Sequence, residues 1–237
     1  MTVLRVLVIS DLHANWPALH AVLEAEPYDK VIVVGDLVSY GPHPAEVVDW
    51  VSRHATVAVE GNHDDALACG SDCRCAPASK PLATATREIH RRVLTADRLR
   101  YLGDLPQTAT LDVAGRRLFV VHASPRNHLY RYTLTPSAPE EHVKRQVSGV
   151  RADYVLLGHT HLPMVRRLDG KIVVNPGSVG QPRDGDPRAS YAVIEDGVVA
   201  LERIAYDVER TVDDLRRLPL APEISDRLVS LLRKGEE

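Results

Sequence analysis

Histidine, aspartate and asparagine side chains follow five short apolar runs of this sequence, each at the point where the run ends. Imidazole, carboxylate and amide groups together suit divalent Mn, Fe, Zn, Co or Ni, whereas Ca²⁺ prefers oxygen ligands alone. The candidate ligands are Asp11, His13, Asp36, Asn62, His122, His159 and His161. We therefore predict one metal centre, assembled from side chains that lie far apart in the sequence.

The runs that precede these side chains have the composition of buried β-strands. They are rich in Val and Ile and too short for helices. They are Val3–Ile9, Val31–Val34, Thr56–Val59, Leu118–Val121 and Tyr154–Leu157, and Ile172–Val174 is similar. Because ligands bind at the carboxyl ends of the strands in open α/β sheets, we expect the candidate ligands to converge in one crevice.

Spacing within the ligand segments gives a second expectation. Asp11 and His13 are two positions apart, as are His159 and His161. Extended backbone would direct both members of each pair toward the same side. Glycine before a ligand permits a sharp turn and a close approach of an ion to the backbone. The glycines in question are Gly35, Gly61 and Gly158.

Helical patterns alternate with the strands. Trp16–Glu26 and Pro44–Arg53 each have an apolar stripe, and Leu82–Leu102 reads as two helices broken near Thr95. Interleaved strands and helices predict an α/β fold, and the length of 237 residues suits a single domain.

The pattern changes in the last third of the chain. Ser190–Ile194 and Val198–Tyr206 flank Glu195-Asp196-Gly197, which is typical of a hairpin. Residues from about 207 to 237 predict a helical tail to the same domain. Its stripe of Leu228, Leu231 and Leu232 could pack on the domain or support a homo-oligomer.

Composition narrows the classes of protein. The formal net charge is −3 with both signs scattered, which disfavours extended nucleic acid as a partner. No run of apolar residues is long enough to span a membrane, so we expect no membrane partner and a cytoplasmic protein.

The ligand segments resemble the five motifs of the calcineurin-like metallophosphoesterase superfamily. They are Asp11-x-His13, Gly35-Asp36, Gly61-Asn62-His63-Asp64, His122 and Gly158-His159-x-His161, and the order and rough spacing agree. Asn175–Gly180 is similar to the small bacterial and archaeal phosphodiesterase branch. The resemblance implies a four-layer αββα sandwich, with two central mixed β-sheets flanked by helices.

The resemblance also implies a role for each residue. One divalent transition metal ion would bind Asp11, His13, Asp36 and His161, and a second would bind Asp36, Asn62, His122 and His159. Asp36 would therefore bridge the two ions. A metal-bound hydroxide would attack phosphorus, and His63 would serve as the catalytic residue at the leaving oxygen.

The sequence departs from the family pattern at one place. Relatives of the protein Ser/Thr phosphatase type carry an aspartate three residues after the bridging one, followed by arginine, whereas this chain has Ser39 and Tyr40 there. The departure argues against a phosphoprotein phosphatase and leaves open what orients His63. Asp64 and Ser39 are the candidates.

Residues that could contact the substrate are less clearly marked. Arg126 and the arginine that ends Asn175–Arg183 each carry a planar guanidinium group, which can donate two hydrogen bonds to phosphate. Tyr40 and His128 are candidate pocket-wall residues. We expect a small phosphate ester as substrate, with a phosphodiester favoured, and we keep a non-catalytic scaffold for protein interaction as the alternative function.

Three cysteines follow the third ligand segment within seven residues. Cys69, Cys73 and Cys75 are too few for a four-thiolate zinc site and are not a disulfide framework. The interpretations are a third metal completed by a nearby His or Asp, a redox-sensitive loop, or ordinary reduced thiols, and the last is favoured.

Overall fold

Two β-sheets pack face to face in the computed structural model, which describes residues 4–168 and 170–236. The first sheet has the strand order β10-β9-β1-β2-β3. β1, β2 and β3 run parallel, and β9 and β10 add antiparallel pairs at the other edge. Its strands are β1 (Arg5–Ile9), β2 (Lys30–Val33), β3 (Val57–Ala58), β9 (Ala189–Glu195) and β10 (Val198–Ile204). Val3, included in the first predicted strand, lies outside the described residues.

The second sheet has the order β4-β5-β6-β8-β7 and is also mixed. β5, β6 and β8 are parallel, while β4 and β7 are antiparallel edge strands. Its strands are β4 (Thr108–Val113), β5 (Arg116–Val121), β6 (Tyr154–Leu156), β7 (Met164–Leu168) and β8 (Lys171–Asn175).

Helices connect the strands and cover the outer faces. They are α1 (Trp16–Ala25), α2 (Pro44–His54), α3 (Asn62–Ala68), α4 (Lys80–Val93), α5 (Ala96–Gly103), α6 (Glu140–Val147), α7 (Val208–Arg216) and α8 (Pro222–Lys234). The break expected near Thr95 is confirmed, because the Thr95 side chain caps α5 by accepting a hydrogen bond from the Arg98 amide.

Successive side chains along a strand point to opposite faces of the sheet and belong to different apolar cores. In β1, Leu7 and Ile9 face a core with α1 and α2, whereas Val6 and Val8 face a core that lies between the sheets. On the far side of the second sheet, Val155 packs with side chains of α6. The layers are therefore helix, sheet, sheet and helix, which confirms the four-layer sandwich.

The C-terminal helices pack onto the domain beside the ligand loops. Leu228, Leu231 and Leu232 are buried in a cluster with Tyr40 and Cys73. The stripe of the tail is therefore covered within the chain and is not available as a dimer interface. Among the described residues no helix combines the length and apolar character that a bilayer span requires.

Candidate metal centre

The loops that follow β1, β2, β3, β5 and β6 meet at one end of the sandwich. The first two loops are joined by backbone hydrogen bonds, from the Asp11 amide to the Gly35 carbonyl and from the His13 amide to the Asp36 carbonyl, each at 3.0 Å. Gly61 must approach the second loop closely, since a Cβ atom there would lie 2.1 Å from Asp36 Oδ1. The loops thus hold one another in place.

Four of the predicted ligands form a first group of donor atoms. Within it, one ligand atom of each residue lies within 4.8 Å of all the others. The group consists of Asp11, His13, Asp36 and His161. All four side chains are buried, with at most 3% of the residue exposed, so few water molecules compete for these donors.

A second group shares Asp36 with the first. Ligand atoms of Asp36, His122 and His159 again lie within 4.8 Å of one another. The Oδ1 atom of Asn62 lies 2.9 Å from His159 Nδ1 and 3.1 Å from His122 Nε2. The structure therefore brings all seven predicted ligands together in two groups with Asp36 common to both.

Backbone carbonyls set the tautomers of three histidines. His13 Nδ1 donates to the Val38 carbonyl at 2.9 Å, and His161 Nδ1 donates to the Gln181 carbonyl at 2.5 Å. Since a carbonyl only accepts, the Nε2 atom of each neutral ring carries a lone pair. These two Nε2 atoms lie 3.1 Å apart. Two lone pairs repel at that distance unless a cation lies between them, so the donors fit a metal ion.

His122 has the same arrangement in the second group. Its Nδ1 donates to the Val34 carbonyl at 2.8 Å, which directs Nε2 toward Asn62 and His159. A backbone acceptor of this kind fixes the orientation of a metal-binding imidazole. His159 Nε2 is buried and has no hydrogen-bond partner among the described residues.

Burial determines the protonation of most of these groups. It lowers the pKa of His13 to about 3 and holds the pKa values of His159 and His161 well below the usual range. Burial also raises the pKa of Asp11 to about 7, and the charge of Asp36 adds to that rise. Neutral imidazoles beside buried carboxylates are the donors that divalent cations require.

Asp36 and His122 form an ion pair, with 3.3 Å between Asp36 Oδ2 and His122 Nε2. Burial opposes both charges, yet His122 and His63 hold the pKa of Asp36 well below its usual value. Against the same opposing effect of burial, the Asp36 carboxylate raises the pKa of His122 to about 9. A divalent cation would neutralise this carboxylate in place of the proton on His122.

Asp64 supports the loop of Asp36. Its carboxylate accepts hydrogen bonds from the amides of Asp36, Leu37 and Gly61 at 2.9–3.0 Å. Burial, with the charge of Asp36, raises its pKa to about 8. Asp64 is therefore placed to position the bridging residue, and the expectation that it orients His63 has no hydrogen bond to support it.

The backbone at the ligands differs from the extended conformation that we expected. Asp11, His13 and Asp36 have φ angles of 53°, 43° and 56°, and His159 and His161 have 68° and 58°. The paired side chains therefore converge through left-handed turns rather than along a strand, and that part of the sequence interpretation was wrong. Non-glycine residues with positive φ cost free energy and concentrate at functional sites.

His63 lies beside the donor groups, at the start of α3. Its ring is 5.2 Å from the ring of His13, and its Nε2 atom is 3.4 Å from the Tyr40 hydroxyl. Burial lowers the pKa of His63 to about 4. Tyr40 therefore lies beside His63, and its contribution to a substrate pocket stays a prediction. Ser39 gives its amide hydrogen bond to His90, while its buried hydroxyl has no partner among the described residues.

The arginines differ in their relation to the site. Arg183 lies over the Tyr40 ring at 6.0 Å, and its charge contributes to the low pKa values of His63 and His161. Arg126 is exposed and contacts the Ser148 hydroxyl, and His128 contacts Gln107. The structure therefore places Arg183, which we did not favour over Arg126, beside the candidate ligands.

Tyr132 was missed from the sequence. Its ring stacks on His159 with 3.7 Å between centroids, and it covers the second donor group. The segment that follows His122 carries no motif that singles out this tyrosine. Asn175 was recognised only as part of a glycine-rich motif, and its side chain donates to the Gly158 carbonyl at 2.7 Å, which supports the loop of His159.

Two of the three cysteines face the site. Cys73 and Cys75 are buried and Cys69 is exposed, and all three are free thiols. One ligand atom from each of His63, Cys73 and Cys75 lies within 4.8 Å of the other two.

The fold and the ligand arrangement are those of a known family. The model of the calcineurin-like phosphoesterase superfamily domain matches residues 4–196, and the chain belongs to that superfamily. The resemblance recognised in the sequence motifs is thereby confirmed. The superfamily is one of metal-dependent phosphoesterases, so the family assignment supports a hydrolase.

Several particular proteins are similar to this chain. A metallophosphoesterase of known structure from Sphaerobacter thermophilus is 33% identical, with a TM-score of 0.81 over 99% of this chain and 100% of that one. An uncharacterised protein of Methanocaldococcus jannaschii is 28% identical over 94% of this chain and 96% of its own length. The phosphodiesterase YfcE of Escherichia coli is 24% identical over 84% of this chain and 91% of its own length.

Proposed function

We propose that this protein hydrolyses small phosphate esters with two divalent transition metal ions. The observation that carries the proposal is the pair of buried donor groups that share Asp36. Asp11, His13 and His161 would hold one ion, and Asn62, His122 and His159 would hold the other, with Asp36 between them. When bound, two such ions supply Lewis-acid activation of water and stabilisation of charge on the phosphoryl oxygens.

Side chains of the protein would bind the phosphoryl group and assist departure of the leaving oxygen. His63, next to the donor groups, would donate a hydrogen bond from its ring to the leaving oxygen. Tyr40 lies within 3.4 Å of His63 Nε2 and would limit how that ring rotates. Arg183 would bind a phosphoryl oxygen, because its guanidinium lies against Tyr40 and its charge reaches several of the ligands.

A phosphodiester is favoured over a phosphoprotein as the substrate. The similarity to a phosphodiesterase of Escherichia coli supports this choice. Ser39 and Tyr40 stand where phosphoprotein phosphatases carry aspartate and arginine, and the buried Tyr40 narrows the site beside His63. Manganese is among the metals that suit this donor set, and the three free thiols are typical of a cytoplasmic protein.

The test combines metal analysis with hydrolysis. The purified protein is stripped with a chelator, reloaded with Mn²⁺, Ni²⁺, Zn²⁺ or Mg²⁺, and assayed on bis(p-nitrophenyl) phosphate and p-nitrophenyl phosphate. We expect two ions per chain after loading with Mn²⁺ and faster turnover of the diester. Two bound ions with no hydrolysis of either ester would favour the alternative, a non-catalytic scaffold, and would overturn the proposal.

A further inference from the structure

A second cluster of metal-binding side chains lies next to the candidate metal centre. His63, Cys73 and Cys75 place one ligand atom each within 4.8 Å of the other two. Their exposed fractions are only 3%, 1% and 8%. None of the three belongs to the two donor groups that share Asp36, so the cluster is a separate set of donors.

The chemistry of the three donors selects a particular kind of ion. Two thiolates and an imidazole are soft ligands that prefer Zn²⁺ and Cu⁺ over Mg²⁺ or Mn²⁺. The cysteines are free thiols and are separated by one residue. Both sulfurs are therefore available to the same ion.

Hydrogen bonds and packing hold the cysteine segment in place without any ion. The Asn62 side chain donates to the Cys73 carbonyl at 2.8 Å. Arg74 lies over the Tyr130 ring at 4.4 Å. The cysteine side chains are also part of the cluster formed by the C-terminal helices. Donors that are already positioned bind an ion without the entropic cost of ordering a loop.

An independent observation comes from His63 itself. Its Nδ1 atom is buried and has no hydrogen-bond partner among the described residues. A buried ring nitrogen without a partner costs free energy. Coordination of an ion beside the two sulfurs would satisfy this ring.

We propose that His63, Cys73 and Cys75 form a third metal site, which binds Zn²⁺ or another thiophilic ion and inhibits the enzyme. Three protein ligands leave one tetrahedral position open, unlike the closed four-ligand sites of structural zinc. Inhibition follows because the ion would hold the His63 ring toward the two sulfurs, so the ring could not adjust to the position of the leaving oxygen. That consequence rests on the proposed function, whereas binding of the ion does not.

Binding is tested with Co²⁺, which reports thiolate ligands through a sulfur-to-metal charge-transfer band in the near ultraviolet. The full-length protein is kept reduced with a phosphine and titrated with Co²⁺. We expect the band in the wild type and in Cys69→Ser, whose thiol is exposed. We expect it to be lost in the double variant Cys73→Ser, Cys75→Ser. Absence of the band in the wild type, or its survival in the double variant, would overturn the site.

Inhibition is tested on the Mn²⁺-loaded enzyme by adding Zn²⁺, with each variant compared with its own rate before addition. Loss of one thiolate in Cys75→Ser should raise the Zn²⁺ concentration needed for half inhibition on the order of 100-fold. Cys69→Ser should be inhibited like the wild type. Equal sensitivity of Cys75→Ser and the wild type would overturn the inhibitory role.

Two controls separate this proposal from folding defects and from the proposed function. Thermal unfolding shows whether each variant folds, and Cys73→Ala or Cys75→Ala replaces a serine variant that does not. If no ester is hydrolysed, the Co²⁺ band still decides whether the thiolate site exists. Hydrolysis without the band would retain the proposed function and reject this site alone.

Discussion

The Asp36 side chain contacts His63, His122 and His13. Its Oδ1 atom accepts a hydrogen bond from the His63 amide at 2.9 Å, and its Oδ2 atom lies 3.3 Å from His122 and 3.8 Å from His13. One carboxylate thus connects both donor groups with the residue proposed for catalysis. Its charge and its geometry can be separated by replacement with the isosteric amide.

We expect Asp36→Asn to bind fewer metal ions and to abolish metal-dependent turnover, because the amide keeps the shape but loses the charge between the ions. Metal content and the rate of diester hydrolysis are measured together. Asp49→Asn is the control, since Asp49 is bound to Arg98 away from the site. Substantial activity in Asp36→Asn would refute the bridging role.

Replacement of His63 should lower turnover without loss of metal, in contrast to replacement of Asp36. In His63→Ala the metal content of the Asp36-centred groups should persist, while turnover falls by about 10²- to 10⁴-fold, the usual contribution of acid–base catalysis. The exposed His20 provides the matched control, His20→Ala. Loss of both ions from His63→Ala would show that His63 is a ligand of the binuclear centre.

Arg183 and Arg126 form a natural pair for testing substrate contact. Removal of a charged hydrogen bond to phosphate typically costs about 1.5–3 kcal/mol, which corresponds to roughly a 10- to 100-fold loss in kcat/KM. We expect this loss in Arg183→Ala, together with weaker inhibition by inorganic phosphate. Arg126→Ala should behave like the wild type, because Arg126 is exposed and contacts Ser148. A loss of kcat/KM in Arg126→Ala but not in Arg183→Ala would instead support Arg126 as the residue that contacts phosphate.

At the level of structural elements, α4 positions the loop that carries Ser39 and Tyr40. The Ser39 amide donates to His90 Nδ1 at 3.2 Å, and His90 Nε2 donates to the Gly41 carbonyl at 2.9 Å. His90 must be neutral to accept the first bond. Burial lowers the pKa of His90 from 6.5 to about 4, in agreement with that requirement.

This contact predicts a pH dependence of stability. Below pH 6.5 the unfolded chain binds a proton at His90 while the folded protein does not. The free energy of unfolding therefore decreases as the pH is lowered from about 6.5 to about 4, where His90 is protonated in both states. The total effect is about 3 kcal/mol. His90→Gln should lack this part of the acid sensitivity when the two proteins are unfolded in urea with a chelator present. Identical pH profiles would contradict the assignment.

The sequence predicted the interior strands of both sheets and the edge strands β3 and β10 of the first sheet, but neither edge strand of the second sheet. β1, β2, β5 and β6 are buried and apolar, and their ends identify the ligands. The edge strand β4 and helix α6 were missed because each buries few side chains, although Ala109, Leu111 and Val113 alternate in β4 and the buried residues of α6 have helical spacing. The layer order came from the family resemblance, since the sequence alone did not show how two sheets pack.

The candidate site was predictable to the extent that local motifs mark it. The ligands are adjacent to glycines and strand ends, whereas Tyr132, Arg183 and His90 reach the site only through tertiary packing. No local pattern distinguishes Tyr132 and His90 from ordinary surface or core residues, whereas Arg183 ends the segment Asn175–Arg183 that the sequence analysis singled out. The left-handed φ angles at the ligands were likewise not visible in the spacing.

On the scale of the whole molecule, the C-terminal helices complete the domain around the site. α8 buries Leu228 in the cluster that includes Tyr40 and the two inner cysteines. The amide of Gly185 also donates to the carbonyl of Gly235, which joins the end of α8 to the loop that carries Arg183. We propose on this basis that the tail belongs to the same domain as the metal centre.

We expect Leu228→Ala to lower the free energy of unfolding by about 2–5 kcal/mol, because it leaves a cavity in that cluster. The same change should increase the reactivity of Cys73 and Cys75 toward a thiol reagent under native conditions. Val198→Ala is the control, since Val198 is 60% exposed and its loss should cost little. Unchanged unfolding and thiol reactivity in Leu228→Ala would show that the tail does not stabilise this region.

The antiparallel pairing of β1 with β9 has a consequence for biosynthesis. The first strand of the chain completes its hydrogen bonds only with a strand that begins at Ala189, and the Asp11 carbonyl accepts a hydrogen bond from the Gly180 amide. Pairing between segments so distant in the chain forms slowly and late. In a nascent chain, the end of the sandwich that carries the candidate ligands therefore cannot close until Ala189–Glu195 has left the ribosome, and we expect metal to bind only after that point.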